Sequence, residues 1–227
     1  MGLLPDKEKG ILRKEFETLA GETTMVAFSR SSLIAVPHEA ACDYCAETRQ
    51  LYEEVADLSD KIKVEVHDFQ VDREQADKYK VDRIPAMLLL DKDRADLGVR
   101  FYGIPAGYEF ASLVEGIRAA AGAPTPLKPA TVEALRALPR PVHIQVFVTP
   151  TCPWCPAAVH MAHLFAIASG GKVTADMVEA SEFPQLSAKY NVSSVPKIVI
   201  DETIELVGAQ PEDEYLKRVV EAAARPA

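Results

Sequence analysis

Four cysteines, and only four, occur in this chain of 227 residues, and they fall as two Cys-x-x-Cys pairs set 110 positions apart. Cys42 and Cys45 lie in ACDYCAET; Cys152 and Cys155 lie in TPTCPWCPAAV. The same spacing repeats beyond the cysteines. A shift of 111 lays YKVDRIPAMLLL (79–90) on YNVSSVPKIVID (190–201), matching Tyr79, Val81 and Pro85 to Tyr190, Val192 and Pro196. A shift of 105 lays Gly103 on Gly208 and Phe110 on Tyr215. Offsets this close over most of each half mark an internal duplication.

Each half reads as one string of elements. A helix opens it (6–19, 131–138), then an alternating apolar strand (25–29, 144–148). A helix starting at the Cys-x-x-Cys pair follows (42–58, 152–168), then a second strand (61–69, 173–179) and a short helix ending at Tyr79 or Tyr190. An x-Pro dipeptide enters a third strand (87–90, 198–200); a further strand and a closing helix (106–121, 211–224) finish the unit. Alternating strands and helices give an α/β class, each unit a central mixed sheet flanked by helices. The proline- and glycine-rich GAPTPLKPA (122–130) separates a unit at 1–123 from one at 124–227. The halves differ before the first pair, where SSLIAVPHEA (31–40) is extra. It reads as a surface insertion beside the first site, either passive loop or lid.

The bulk numbers exclude more than they assign. A net charge of −9 carries no basic footprint for nucleic acid or an anionic membrane. No apolar run is long enough to span a bilayer, and MGLLPDKEKG has no apolar leader core, so the expected compartment is the cytoplasm. Asn191 is the only asparagine, which fits selection for heat resistance. SGGK lacks the rest of a phosphate-binding loop, so no nucleotide or flavin cofactor is expected.

Two cysteines three apart at a helix start suit redox chemistry. Free thiols titrate near ~8.5, and such placement lowers this because unpaired amides and the helix dipole hold the anion. Cys42 and Cys152 then attack, and Cys45 and Cys155, one turn on, resolve the mixed disulfide. The competing use is one four-thiolate zinc site, but 106 residues separate Cys45 from Cys152, against ~15 to 20 in such sites. Pro153 fits the first helical turn, and Trp154 offers a flat apolar rim to a client.

Ile84-Pro85 and Val195-Pro196 each start a strand about 40 residues after a resolving cysteine. Such a proline either merely begins a strand or forms a cis bond that turns the preceding backbone toward an extended client beside the sulfur. Asp68 and Glu179 coincide under the 111 shift. They read either as relays for the resolving thiol's proton or as solvated strand-end acids. His160 and His163 share a helix face and read as packing or surface groups, His38 as a loop residue before Cys42, and the Lys and Glu run at 7–17 as a solvated face.

Cys-x-x-Cys with a later Ile/Val-Pro resembles the thioredoxin superfamily, and CPWC is close to the CPYC of glutaredoxins. The tandem plan, with FYGIPAGYEFA, VFVTPTCPWCPAAVHMAHLFA, DMVEA and YNVSSVPKIVI, resembles the two-unit protein disulfide oxidoreductases, or glutaredoxin-like proteins, of thermophiles. The resemblance implies two tandem thioredoxin-like units, with Pro85 and Pro196 as cis-prolines. It implies reduction, oxidation and isomerisation of protein disulfides, with electrons from an NADPH-dependent flavoprotein reductase. Val146 stands where thioredoxins carry a buried aspartate, so that relay is missing. Two other functions fit the motifs: a dedicated electron donor to a peroxiredoxin, and a non-catalytic peptide-binding chaperone.

Asp43 puts a carboxylate beside Cys42, whereas Pro153 and Trp154 put no charge beside Cys152. Cys152 is therefore expected to have the lower thiol pKa and the more oxidising pair. Alkylation rates against pH, with one site mutated at a time, check this; faster reaction of Cys42 at acidic pH contradicts it.

Overall fold

The strands that lead to the cysteines are β1 (Thr23–Ser29) and β5 (Val142–Val148). Every residue of β1 is buried, and all of β5 except His143. The expected alternation is replaced by burial on both faces, the mark of a strand at the centre of a sheet with helices above and below. The computed structural model describes residues 2–30 and 42–225; the extra stretch 31–40, with His38, lies outside the described residues.

The first half runs α1 (Asp6–Glu17), β1, α2 (Cys45–Ala56), β2 (Ile62–Asp68), α3 (Arg73–Lys78), β3 (Ala86–Leu90), β4 (Asp96–Tyr102) and α4 (Phe110–Ala120). The second runs α5 (Pro129–Arg136), β5, α6 (Cys155–Ala168), β6 (Val173–Glu179), α7 (Pro184–Lys189), β7 (Lys197–Ile200), β8 (Ile204–Val207) and α8 (Glu212–Ala224). Residues 121–128 join the halves without helix or strand. No helix among the described residues is long and apolar enough to cross a membrane.

The strands form one continuous sheet in the order β2-β1-β3-β4-β6-β5-β7-β8. The two four-stranded sheets meet edge to edge, β4 parallel to β6, with Val99, Arg100, Phe101 and Tyr102 opposite Ala175, Asp176, Met177 and Val178. Both pairs that flank the parallel ladders, β1/β3 and β5/β7, are antiparallel, as are β3/β4 and β7/β8. Six strands thus point one way and only β3 and β7 the other. The chain leaves all six at the same end of the sheet, where those strands have their C-terminal ends, so both Cys-x-x-Cys segments lie along that end.

One face carries α1, α2, α4, α5, α6 and α8 over a core that includes Met25, Met87, Leu89, Phe101, Val146 and Met177. The other is thinner, with α3 and α7 over Val26, Phe28, Leu88, Tyr102, Phe147 and Val199. On this thinner face the join carries buried charges, each paired: Arg100 with Asp96, and Asp176 with His143 at 2.6 Å. His163 is buried on the thick face, edge-on to Phe101 at 4.8 Å, and burial holds its imidazole neutral with a pKa of about 3.

The cysteine helices start later than expected. They open at Cys45 and Cys155, not at Cys42 and Cys152. Pro153 therefore lies in the turn before α6, and Pro156 occupies its first turn, where a missing N–H costs nothing.

Phe101 joins the units physically: it lies on β4 of the first, is fully buried, and packs on His163 of the second and beside Gly116 of α4. Phe101→Ala is expected to destabilise the whole chain by about 3–5 kcal/mol. Urea unfolding checks this; a loss below about 1 kcal/mol contradicts the packing.

Candidate redox sites

The two cysteine turns are built alike. In each, the first cysteine ends a turn and the second begins a helix. The pairs are disulfide-bonded, each with Cα atoms 5.5 Å apart. The N-cap residues, Tyr44 and Trp154, make no side-chain cap. The unclaimed N–H groups of the first turn and the positive helix end face the cysteine turn.

The attacking positions are less open than the sequence suggested. Cys42 is half-buried, and Cys152 is only 8% exposed; Cys45 and Cys155 are buried at 5% and 0%. Burial is graded in the expected direction within each pair, but Cys152 is itself buried. The residues between the cysteines are the exposed ones. Trp154 is 71% exposed and Tyr44 47%. Trp154 was expected there from its motif; Tyr44 was missed, although the shift of 110 lays one aromatic on the other.

Ile84-Pro85 and Val195-Pro196 are both cis. In each, the proline is buried and the residue before it half-buried. The Val195 carbonyl oxygen lies 3.8 Å from Cys152 Sγ, which brings the second proline segment against the second cysteine pair. Each proline carbonyl accepts an N–H from a glycine past the next strand: Gly103 to Pro85 at 2.9 Å, Gly208 to Pro196 at 2.8 Å.

Asp68 and Glu179, equivalent in sequence, sit differently. Asp68 is half-buried, and its Oδ1 accepts the N–H groups of Gln70 and Val71 at 2.9 and 3.0 Å, which caps the turn after β2. Glu179 is 3% exposed; its Oε2 accepts the Glu182 N–H at 2.7 Å, and its Oε1 is buried without a partner.

Glu109 is a further residue that sequence reasoning missed. It closes a 3-10 turn, Gly107–Glu109, that leaves β4 of the first unit and packs on the segment before Cys152. Tyr108 N–H donates to the Pro150 carbonyl at 2.9 Å. A Cβ at position 107 would lie 2.2 Å from that oxygen, so only glycine allows the approach. Glu109 is 1% exposed, accepts a hydrogen bond from the Ser112 hydroxyl at 2.6 Å, and leaves Oε1 unpartnered. Burial pushes its carboxyl up to about 7, against the lowering effect of Ser112. Nothing in local spacing ties this acid to the CPWC motif, because the contact crosses between the units. Among the described residues no cluster of three or more His, Cys, Asp or Glu is arranged to hold a metal.

The comparisons with known proteins agree with this geometry. The family described as Thioredoxin domain matches residues 142–221. A protein disulfide oxidoreductase from Aeropyrum pernix K1 superposes with a TM-score of 0.87 at 30% identity, over 96% of this chain and 93% of that one. The NTD_N/C domain of alkylhydroperoxide reductase AhpF from Enterococcus faecalis superposes with a TM-score of 0.85 at 27% identity, over 95% of this chain and 99% of that one. The F component of the alkyl hydroperoxide reductase of Staphylococcus epidermidis is 26% identical over 159 residues, 70% of this chain; the match covers 28% of that longer protein.

The raised carboxyl of Glu109 makes a stability prediction. The folded state holds this proton to about pH 7, whereas an unfolded glutamate releases it near ~4.3. Between these values the folded state binds more protons, so this group's contribution falls as pH rises. Glu109→Gln removes the penalty: its stability relative to wild type is expected to rise by about 3 kcal/mol from pH 4.5 to 7.5. Paired urea titrations across that range check it; a constant difference contradicts it.

Proposed function

The chain belongs to the two-unit thioredoxin-fold family that includes the Aeropyrum pernix protein disulfide oxidoreductase, whose chemistry is thiol–disulfide exchange, and we propose that its substrates are disulfides and dithiols of other proteins. The observation that carries this reading is the approach of the Val195 carbonyl to Cys152, 3.8 Å from Sγ. It sets a backbone acceptor beside the reactive sulfur, where an extended client chain finds main-chain hydrogen bonds as its disulfide meets the thiolate. Trp154 and Tyr44 supply an apolar rim at the same places. The units divide at 123/124, and Ile84, Pro85, Val195 and Pro196 line the client grooves.

In the reducing direction the Cys152 or Cys42 thiolate attacks one client sulfur. That S–S bond breaks, a mixed disulfide forms, and the other client sulfur leaves as a thiolate that takes a proton. Cys155 or Cys45 then loses its proton and attacks the mixed disulfide. The second client thiol leaves, and the enzyme retains the disulfide, two electrons having passed to the client. The graded burial of each pair supports this division of roles, because the outer sulfur meets the client and the inner one meets only its neighbour. Oxidation runs the same steps backward. Electrons for repeated reduction come from an NADPH-dependent flavoprotein reductase, and the reaction is placed in the cytoplasm.

A second reading is favoured by the likeness to the alkyl hydroperoxide reductase proteins of Staphylococcus epidermidis and Enterococcus faecalis: a dedicated electron donor to a peroxiredoxin. Under that reading the same grooves receive one partner's disulfide.

Reduction of insulin by dithiothreitol, followed as turbidity, tests the first reading. Cys42→Ser and Cys152→Ser are each expected to keep part of the acceleration and the double variant none. Wild-type protein that does not accelerate the reaction overturns it. Peroxide-dependent NADPH oxidation with a matched reductase and peroxiredoxin, in the absence of insulin turnover, selects the second.

A further inference from the structure

Gly103 and Gly208 hold equivalent places, each donating its N–H to its own unit's proline carbonyl, and both have positive φ, 91° and 81°. Their surroundings differ. A Cβ on Gly208 would meet nothing within 4 Å. One on Gly103 would lie 2.6 Å from Glu179 Cβ and 2.7 Å from Glu182 Oε1. Those glutamates come from the other unit, at and just beyond the end of β6. Glu182 Oε1 also accepts the Ile104 N–H at 2.6 Å, and the Glu182 N–H is anchored on Glu179. A carboxylate of the second unit is thus built into the backbone that holds Pro85, and among the described residues none lies within 4 Å of a Cβ at the corresponding Gly208.

We propose that Glu182 is a positioning residue for the first redox site: it fixes the Gly103–Ile104 segment that holds Pro85, and its ionised form disfavours the Cys42 thiolate across the unit boundary. The proposal rests on the reading of Cys42 as the attacking thiol.

The titratable groups that share an electrostatic field with Glu182 come from three elements: Glu179 of β6, Asp43 of the turn before α2, and the Tyr52 phenol of α2, the helix that Cys45 begins. Two of them carry buried polar atoms with no partner, Glu179 Oε1 and the Tyr52 hydroxyl. Burial, then Glu179 and Asp43, push the Glu182 carboxyl up to about 7 against the lowering effect of the Ile104 N–H. Burial, with a smaller push from Glu182, raises the Tyr52 phenol, which stays neutral and adds no charge. Near neutrality Glu182 therefore exchanges a proton while Asp43, next to Cys42, shares its field. Coulomb repulsion links the two titrations: a charge gained at Glu182 lowers the thiolate fraction of Cys42.

The test uses the full chain carrying Cys152→Ser and Cys155→Ser, reduced with dithiothreitol and desalted, with iodoacetamide alkylation of Cys42 followed by mass spectrometry from pH 5.5 to 8. In this background Glu182→Gln keeps an acceptor for Ile104 and loses the charge. Its rate relative to wild type is expected to be near one at pH 5.5, where Glu182 is neutral, and to rise to about threefold by pH 8. Glu182→Asp, which keeps a charge, is expected to alkylate more slowly than Glu182→Gln at pH 8. A ratio that does not change with pH overturns the proposal, whether it stands at one or above it, because a merely loosened loop speeds alkylation equally at every pH. Should Glu182→Gln fail to fold, the unsubstituted Glu182 protein decides: its profile carries a second inflection near pH 7, and a single Cys42 titration overturns the proposal. Insulin is absent from this experiment, so failure of the proposed substrate class leaves its outcome standing, and the reverse holds too.

Discussion

The parallel pairing of β4 with β6 is the contact on which the arrangement of the sites depends. Four hydrogen-bonded residue pairs turn two sheets into one. Because β1 and β5 run in the same sense on either side of that join, both cysteine turns come to one end of the sheet. The loops leaving β4 and β6 lie between them. Each of those loops carries a buried or half-buried glutamate whose carboxyl is held near neutrality, Glu109 from the first unit and Glu182 from the second. Both lie where the units touch: the turn that holds Glu109 packs on Pro150 of the second unit, and Glu182 accepts the Ile104 N–H of the first.

The unit plan was legible because it is local. A cysteine pair opening a helix, a short helix ending at tyrosine, and an Ile/Val-Pro entering a strand each depend on residues within a few positions, and duplication showed them twice. The helix starts were read three residues early, since Cys42 and Cys152 lie in turns that precede the N-cap residues Tyr44 and Trp154. The join was not legible. In DLGVRFY and VTADMVE, Arg100 and Asp176 look like solvent-facing residues of edge strands, the usual protection against sheet pairing. They are buried instead, their charges answered by Asp96 and His143, and the outer edges are β2 and β8, with Lys63, Glu65 and Glu205. Pairing of charges across distant positions has no period, so no pattern in the chain announces it.

The candidate sites divide along the same line. Spacing and repetition mark the cysteines, the x-Pro segments and Trp154 in the sequence. Nothing local marks Glu109 or Glu182, because one acid 43 residues before Cys152, or 139 after Asp43, is distinguished only by what packs on it. Glu179 and Asp68 hold equal places in the repeat but differ in setting: one carboxylate caps an open turn, and the other is enclosed at the join.

Duplication followed by edge-to-edge joining therefore makes the two sites unequal even where their motifs resemble one another. The first site carries Asp43 within its motif, and Asp43 shares an electrostatic field with Glu182 of the second unit. The second has no charge between its cysteines, and burial pushes the carboxyl of Glu109, the acid packed beside its approach, up to about 7. Negative charge beside a thiolate raises the free energy of the reduced pair and leaves the disulfide unaffected, so the first pair is expected to be the stronger reductant. For a two-electron exchange a difference of ~30 mV shifts the equilibrium tenfold. A carboxylate beside one pair and none beside the other would bias any electrons exchanged between them toward Cys152 and Cys155.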